Sequence, residues 1–198
     1  MKKTLLVLMA LVLCICSAAA LYYEKGDTEF SFRGGVTFPA VQYFPKRSAE
    51  KTATFKDIHL NKVGGYGSLS YQVFLTKQAI LGGEVGYAFC PSYEGLYLTM
   101  IPFTVKGTYT PVQTGSFDLN LHANLGVAII KYNGGRFFPA PYLSLAVNPV
   151  YYITDKWGLG LETGIWGLGE LYSSTNSKSA DSSILSMIPL YLTVTYRH

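Results

Sequence analysis

The feature that most constrains this chain is an alternation of apolar and polar side chains with a period of two. It is clearest over residues 117–130, where Leu119 and Leu125 share one set of alternate positions and Asp118 and His122 share the other. Successive side chains of a β-strand point to opposite faces, whereas the apolar positions of an amphipathic helix recur every three or four residues. Glycine disfavours helices and occurs 20 times, often inside the alternating segments. The sequence therefore predicts an all-β protein.

The alternation predicts eight strands, at residues 28–38, 58–74, 80–89, 96–109, 116–131, 137–152, 157–168 and 185–197. Three connections are short, at 75–79, 110–115 and 153–156, whereas those at 39–57 and 169–184 are long and polar. In an up-and-down order the short turns lie at one end and the long connections at the other, as in membrane β-barrels. We therefore expect an eight-stranded antiparallel up-and-down β-barrel.

A weak internal repeat also favours an even number of strands. Residues 81–86 (LGGEVG) resemble residues 159–164 (LGLETG), and the Met-Ile-Pro of 100–102 recurs at 187–189. These matches relate the third strand to the seventh and the fourth to the eighth. Either two similar half-barrels or the general likeness of barrel strands would explain them, and both explanations agree with eight strands.

Composition indicates which face of the barrel lies outside. Charged residues make up 14% of the chain, against roughly 25% in ordinary soluble domains. One face carries large apolar side chains, and the other consists mainly of Gly, Ser, Thr, Asn and Ala with a few charges. So small and uncharged a polar face would not keep a barrel of this size soluble. The apolar face is therefore expected to contact lipid, in a closed transmembrane β-barrel that pairs every backbone group.

Aromatic residues on the apolar face support a membrane position. Those near the short-turn ends of the strands are Phe30, Tyr71, Tyr109, Tyr151, Trp157 and Tyr196. Those near the long-connection ends are Phe38, Tyr87, Phe89, Tyr97 and Phe137. Two aromatic belts separated by aliphatic residues are typical of the two interfaces of a bilayer.

Residues 1–20 have the composition of a secretory signal peptide, with a positive start, an apolar centre and small residues at its end. Cleavage is predicted after Ala20, and Ala18 and Ala19 also fit the pattern. Residues 21–198 then form the barrel domain, with Cys90 as the one remaining cysteine and no disulfide. We expect an exported protein.

These features resemble a known family. The signal peptide, the alternating strands and the last segment, 188–198, are similar to small bacterial outer-membrane β-barrels of the outer membrane protein W and X type and to the membrane domain of outer membrane protein A. The resemblance implies residence in the bacterial outer membrane, contact with its lipid, and recognition of the C-terminal strand by the barrel-assembly machinery. In that family the last residue is usually aromatic, and here His198 occupies its place.

Family members act as structural barrels, adhesins or narrow conduits, and the resemblance leaves these roles open. We predict a structural or adhesin-like barrel with a side-chain-filled lumen and surface-exposed loops. The connection 39–57 contains Lys46, Arg47, Lys51 and Lys56, a positive excess that would attract an anionic extracellular ligand. The alternative is a narrow conduit for a small hydrophobic solute. We expect a monomer and, without a basic stripe, no nucleic-acid partner.

Enzyme chemistry has little support in the sequence. The histidines are His59, His122 and His198, and no metal-ligand cluster, phosphate-binding loop or nucleophile motif accompanies them. His122 lies among inward polar residues, where a hydrogen bond inside the lumen is its expected role. We expect a protein that is not an enzyme and has no cofactor and no bound metal.

The alternation also predicts a polar network inside the barrel. The inward charged residues are Arg33, Lys106 and Arg197 together with Glu84, Asp118 and Glu162, and His122 lies near them. The lumen of an eight-stranded barrel is just wide enough for side chains to fill it. We expect Lys106 to pair with Asp118, and Arg33 and His122 to lie beside the two glutamates.

Overall fold

The computed structural model describes residues 24–45, 52–54, 62–91, 97–132, 137–169 and 183–198. The predicted signal peptide and its cleavage site lie outside these ranges. The strands of the described residues are β1 (Thr28–Tyr43), β2 (Thr52–Thr54), β3 (Gly64–Phe74), β4 (Ala79–Pro91), β5 (Tyr97–Thr114), β6 (Phe117–Tyr132), β7 (Phe138–Tyr152), β8 (Trp157–Gly169) and β9 (Ile184–Arg197). Across these same ranges, no helix has the length and apolar character needed to cross a membrane.

Eight of these strands form a closed antiparallel barrel, which confirms the predicted fold. Each long strand pairs with its neighbours in chain order, and β1 pairs with β9 to close the sheet. The closing seam runs from Glu29 opposite Arg197 to Tyr43 opposite Ile184. The short β2 lies outside the eight and pairs with the end of β1.

The short turns lie at one end, as expected, but two strands run further than predicted. β5 continues to Thr114, so the predicted 110–115 loop is wrong and the turn consists of Gly115 and Ser116. A bulge between Tyr109 and Val112 lets the strand continue, because an extra residue on one strand shifts the register without ending the ladder. β1 similarly extends beyond residue 38 because it keeps pairing with β9 and β2.

The outward face is apolar and carries both aromatic belts. At the short-turn end, Tyr71 is 55% exposed and Trp157 is 50% exposed, with the Trp157 ring centroid 4.8 Å from that of Tyr196. At the long-connection end, Tyr87 and Phe137 are similarly exposed. Exposed leucines, valines and isoleucines cover the wall between the belts. Such a wall suits hydrocarbon and not water.

The inward face differs from the sequence expectation. Small polar and charged residues fill the half of the lumen near the short turns, but the half near the long connections contains a buried apolar cluster. Its aliphatic and sulfur-containing members are Ala88, Cys90, Leu98, Met100, Ala128, Ile130, Ala140, Leu168, Leu185 and Met187. At that level both faces of several strands are apolar, so the alternation gives no sign of which residues point inward.

Candidate functional site

The candidate site is the interior of the barrel, where the structure buries all seven residues of the predicted lumen network. These residues are at most 7% exposed, and they are Arg33, Glu84, Lys106, Asp118, His122, Glu162 and Arg197. They come from β1, β4, β5, β6, β8 and β9. Alternate residues of a β-strand point to the same face of the sheet. The sequence alone therefore predicts that these side chains share the inward face.

Arg33, Glu84 and Glu162 form a central charge cluster. The guanidinium of Arg33 pairs with both carboxylates, one on each side of the lumen. Its Nε donates a hydrogen bond to Ser68 Oγ at 3.2 Å, and Tyr66 Oη donates one to Glu84 Oε1 at 2.6 Å. One cation therefore pairs with two buried acids, and these are the two glutamates of the internal repeat.

The predicted pair between Lys106 and Asp118 is wrong. Lys106 Nζ lies 3.3 Å from Ser70 Oγ and 4.0 Å from Glu84 Oε2, so it extends the central charge cluster instead. Lys106 is opposite Asn124 on β6, whereas Asp118 is opposite Gln113 beyond the β5 bulge. The two residues are therefore at different depths in the lumen.

Asp118 belongs to a second group, the turn-end cluster of Glu29, Asp118 and Arg197. Arg197 Nε donates to Glu29 Oε2 at 2.7 Å, and Arg197 Nη1 donates to Asp118 Oδ2 at 2.6 Å. The guanidinium carbon also lies 5.2 Å from the ring centroid of Phe74 and 4.7 Å from that of Tyr152. These contacts fill the lumen where the barrel closes above the short turns.

Glu29 is a charged lumen residue that was not predicted from the sequence. It is 2% exposed and has the same strand parity as Ser31 and Arg33. That parity was the available signal. With Glu29 included, the described lumen contains four acidic and three basic side chains, not the balanced set expected from the sequence.

Between the two clusters, neutral polar groups form a hydrogen-bonded layer around His122. The Nδ1 atom of His122 lies 2.8 Å from Thr108 Oγ1, and its Nε2 atom lies 3.3 Å from Asn148 Nδ2. Glu162 Oε2 is 3.7 Å from the same Nε2. Gln72 in turn donates to Thr108. Both ring nitrogens of His122 thus lie within hydrogen-bond distance of neutral lumen groups.

Above the central charge cluster, Tyr66, Tyr142, Trp166 and Tyr191 form an aromatic layer. The Tyr66 and Tyr191 rings stack with centroids 4.7 Å apart, and those of Tyr142 and Trp166 are 5.8 Å apart. A cavity of about 10 Å³ remains beside Arg33 and Glu162, which is room for about one water molecule. The lumen is therefore filled at this level.

The other candidate residues do not belong to the described part of the lumen. Lys46, Arg47, Lys51 and Lys56 lie outside the described residues, as does His59. His198 is exposed at the chain end, where it exchanges backbone hydrogen bonds with Thr28. Within the described ranges, no three His, Cys, Asp or Glu residues are grouped so that they could hold a metal ion.

The closed strand order, the apolar wall and the filled lumen define a small eight-stranded β-barrel of the outer-membrane type. A protein-family model matches residues 16–196, nearly the whole chain, and the protein belongs to the family that this model represents. An uncharacterized protein of Treponema pallidum (strain Nichols) is 29% identical over 111 residues. That alignment covers 56% of this chain and spans only about half (50%) of the relative's length.

Solved structures share the architecture at low sequence identity. Neisserial surface protein A is 11% identical, with 85% of this chain and 96% of that chain covered at a TM-score of 0.59. Ail, the attachment invasion locus protein of Yersinia pestis, is 12% identical, with 88% and 99% covered at a TM-score of 0.48. The outer membrane protein OprG of Pseudomonas aeruginosa is 11% identical, with 91% and 99% covered at 0.45. At such identities the likeness concerns the fold alone.

Proposed function

We propose that this protein is an integral outer-membrane barrel that uses a closed, rigid scaffold to present its long connections at the cell surface. The single observation that carries this proposal is the filled lumen. The turn-end cluster, the His122 layer, the central charge cluster and the aromatic layer follow one another along it. A scaffold without an open pore is suited to a structural or adhesin-like role.

The outward face supports the membrane position. Phe103, Val105 and Leu125 are all more than half exposed at mid-height, between the two aromatic belts. At roughly 25 cal/mol per Å² of apolar surface, exposing such a wall to water would be strongly unfavourable. Closure of the sheet by β1 and β9 leaves no long strand edge in the hydrocarbon.

The first prediction concerns conductance. Reconstituted in planar bilayers, the wild-type protein is expected to show no large, steady ion conductance, because paired charges and stacked rings block the lumen at successive levels. Current across bilayers with and without the protein measures this, and successful insertion is checked by heat-dependent gel mobility. A persistent pore in correctly folded protein would contradict the closed-scaffold proposal.

The basic connection is the proposed recognition element. β2 pairs with the end of β1, with Val41 opposite Thr54 and Tyr43 opposite Thr52, and the residues between these strands include Lys46, Arg47 and Lys51. Polar connections on a rigid scaffold often carry binding. We propose an anionic extracellular ligand, such as a sulfated polysaccharide, with binding that weakens as salt is added.

Deleting residues 45–52 is therefore expected to leave the barrel folded and to reduce binding to immobilised sulfated polysaccharide. Replacing Lys77 and Lys156, two exposed lysines in the short turns, with glutamine gives a matched control with charge removed from the opposite rim. Undiminished binding by the deletion variant would exclude this connection as the site.

A second candidate function is a narrow conduit for a small hydrophobic solute. The buried apolar cluster favours it, because Leu98, Met100, Ile130 and Met187 provide an apolar lining in the half of the lumen near the long connections. Uptake of a hydrophobic dye by liposomes distinguishes the two candidates. Uptake by the wild type that is lost in Met100→Trp would support the conduit, and uptake equal to that of protein-free liposomes would support the closed scaffold.

The remaining assignments follow from the same proposal. We propose export by the signal peptide, insertion through recognition of β9 by the barrel-assembly machinery, and a monomeric barrel surrounded by lipid. The backbone of His198 continues the seam, because its N–H donates to the Thr28 carbonyl at 2.9 Å. A terminal histidine in place of an aromatic therefore keeps the strand pairing. We also propose that the protein is not an enzyme.

A further inference from the structure

The outward face of β1, β3 and β4 contains a groove near the long connections. Its volume is about 370 Å³, and Val36, Val63, Tyr87 and Phe89 form its walls. Glycines form its floor: on β3, Gly67 is opposite Tyr87 and Gly65 is opposite Phe89. The Phe89 ring covers Gly65, where an added Cβ would lie only 2.6 Å from it.

The groove remains open above Gly67. A Cβ added there would meet only the Arg33 carbonyl oxygen, at 3.8 Å, which is an ordinary contact. The wall side chains are 37–53% exposed, so they project on either side of a depression. A flexible chain fits between such projections, whereas the broad wall of a second barrel would rest on the rings and leave the floor empty.

A cation lies beyond the end of this groove nearest the long connections, on the far side of β4. Lys62 directly precedes Val63, a wall residue, and its Nζ lies 5.5 Å from the ring centroid of Tyr97 on β5. Its side chain therefore extends from the groove past β4, at the level of the aromatic belt. Lysines at a membrane interface place their ammonium group among the headgroups while the aliphatic stem contacts apolar surface.

We propose that this groove binds one anionic phospholipid, with an acyl chain over Gly67 between Val36 and Tyr87 and the headgroup phosphate paired with Lys62. This inference rests on the membrane position of the proposed function. Hydrocarbon surrounds the groove at that depth, and a phosphate is the negative group that a bilayer places near the Lys62 ammonium. The site therefore combines an apolar slot with a single charge at its end.

The chain offers a matched control for each half of the site. Gly67→Leu fills the groove, and Gly167→Leu adds the same side chain on β8, where a Cβ at Gly167 would meet nothing within 4 Å. Lys62→Gln removes the proposed phosphate partner. Lys131→Gln removes the same charge from a lysine that also lies over an aromatic ring, with its Nζ 5.0 Å from the Phe137 centroid.

The experiment is native mass spectrometry of the full-length mature protein in detergent, titrated with phosphatidylglycerol or phosphatidylcholine. The wild type, Gly167→Leu and Lys131→Gln should each retain one phosphatidylglycerol. Gly67→Leu should lose it. Lys62→Gln should bind it about fivefold more weakly, the effect of one lysine near an anionic surface, and should lose the preference over phosphatidylcholine.

Retention of the lipid by Gly67→Leu would overturn the proposed groove. Equal binding of both lipids by the wild type would overturn the role of Lys62, and a dimer without lipid would show that a second copy occupies the face. Each variant is first tested for insertion into vesicles and for heat-dependent gel mobility. Failure of the wild type in these tests would refute the membrane barrel itself, whereas insertion without selective lipid binding would refute only the lipid site.

Discussion

Arg33→Met is expected to lower the free energy of unfolding by about 3–5 kcal/mol, the usual cost of removing one member of a buried ion pair. The substitution leaves Glu84 and Glu162 buried without the cation that both contact. Lys106 Nζ is 4.0 Å from Glu84 and does not replace a guanidinium that contacts both acids. Urea unfolding of the barrel in lipid vesicles, followed by tryptophan fluorescence, measures the change.

The control for this prediction keeps the charges of the cluster balanced. A double variant with Arg33→Met and Glu162→Gln removes one cation and one acid and leaves Lys106 beside Glu84, so it should recover most of the lost stability. If Arg33→Met unfolds at the wild-type urea concentration, the central charge cluster does not contribute as the contacts indicate. If the double variant is as unstable as the single variant, packing of the arginine and not its charge is responsible.

Arg197→Met is expected to lower the free energy of unfolding by a similar amount, about 3–5 kcal/mol. Arg197 lies in the turn-end cluster, at the end of the lumen near the short turns. The substitution would leave Glu29 and Asp118 buried without the guanidinium that contacts both. It would also remove the cation from between the Phe74 and Tyr152 rings. The same vesicle unfolding assay applies, and Lys156→Met, which changes an exposed turn residue, is the control.

The position of Arg197 adds a kinetic expectation. Arg197 is opposite Glu29 in the β1–β9 seam, which joins the two ends of the sheet and depends on contacts far apart in sequence. Such contacts form late unless specific interactions favour them. Refolding into vesicles, followed by heat-dependent gel mobility, should therefore be slower for Arg197→Met than for the control Lys156→Met. Equal refolding rates would show that the turn-end cluster has no special part in closure.

The two clusters also account for how so many charges fit in a narrow lumen. Each is built around an arginine that contacts two acids, and Lys106 adds a further cation near Glu84. Planar guanidinium groups with several donors suit this arrangement better than an ammonium group would. The network fills the polar half of the lumen, and each arginine is a point where a single substitution is expected to have a large effect.

The sequence by itself determined the strand class, the strand number and the inward direction of residues such as Arg33, Glu84 and Glu162. These properties depend on local parity, because a β-strand sends alternate side chains to opposite faces wherever it lies. The same parity would have identified Glu29. It gave no sign of the apolar half of the lumen, since near Met100 and Ile130 both faces of a strand are apolar.

Only the tertiary structure decided the partners of Lys106 and Asp118. Pairing across the lumen depends on the stagger between strands, and one bulge after Tyr109 separates Lys106 from Asp118 and leaves Asp118 beside Arg197. The groove over Gly67 likewise arises from side chains of three neighbouring strands. Local sequence sets the direction of each side chain, but its depth in the barrel depends on the register of every strand, which is fixed only when β1 and β9 close the sheet.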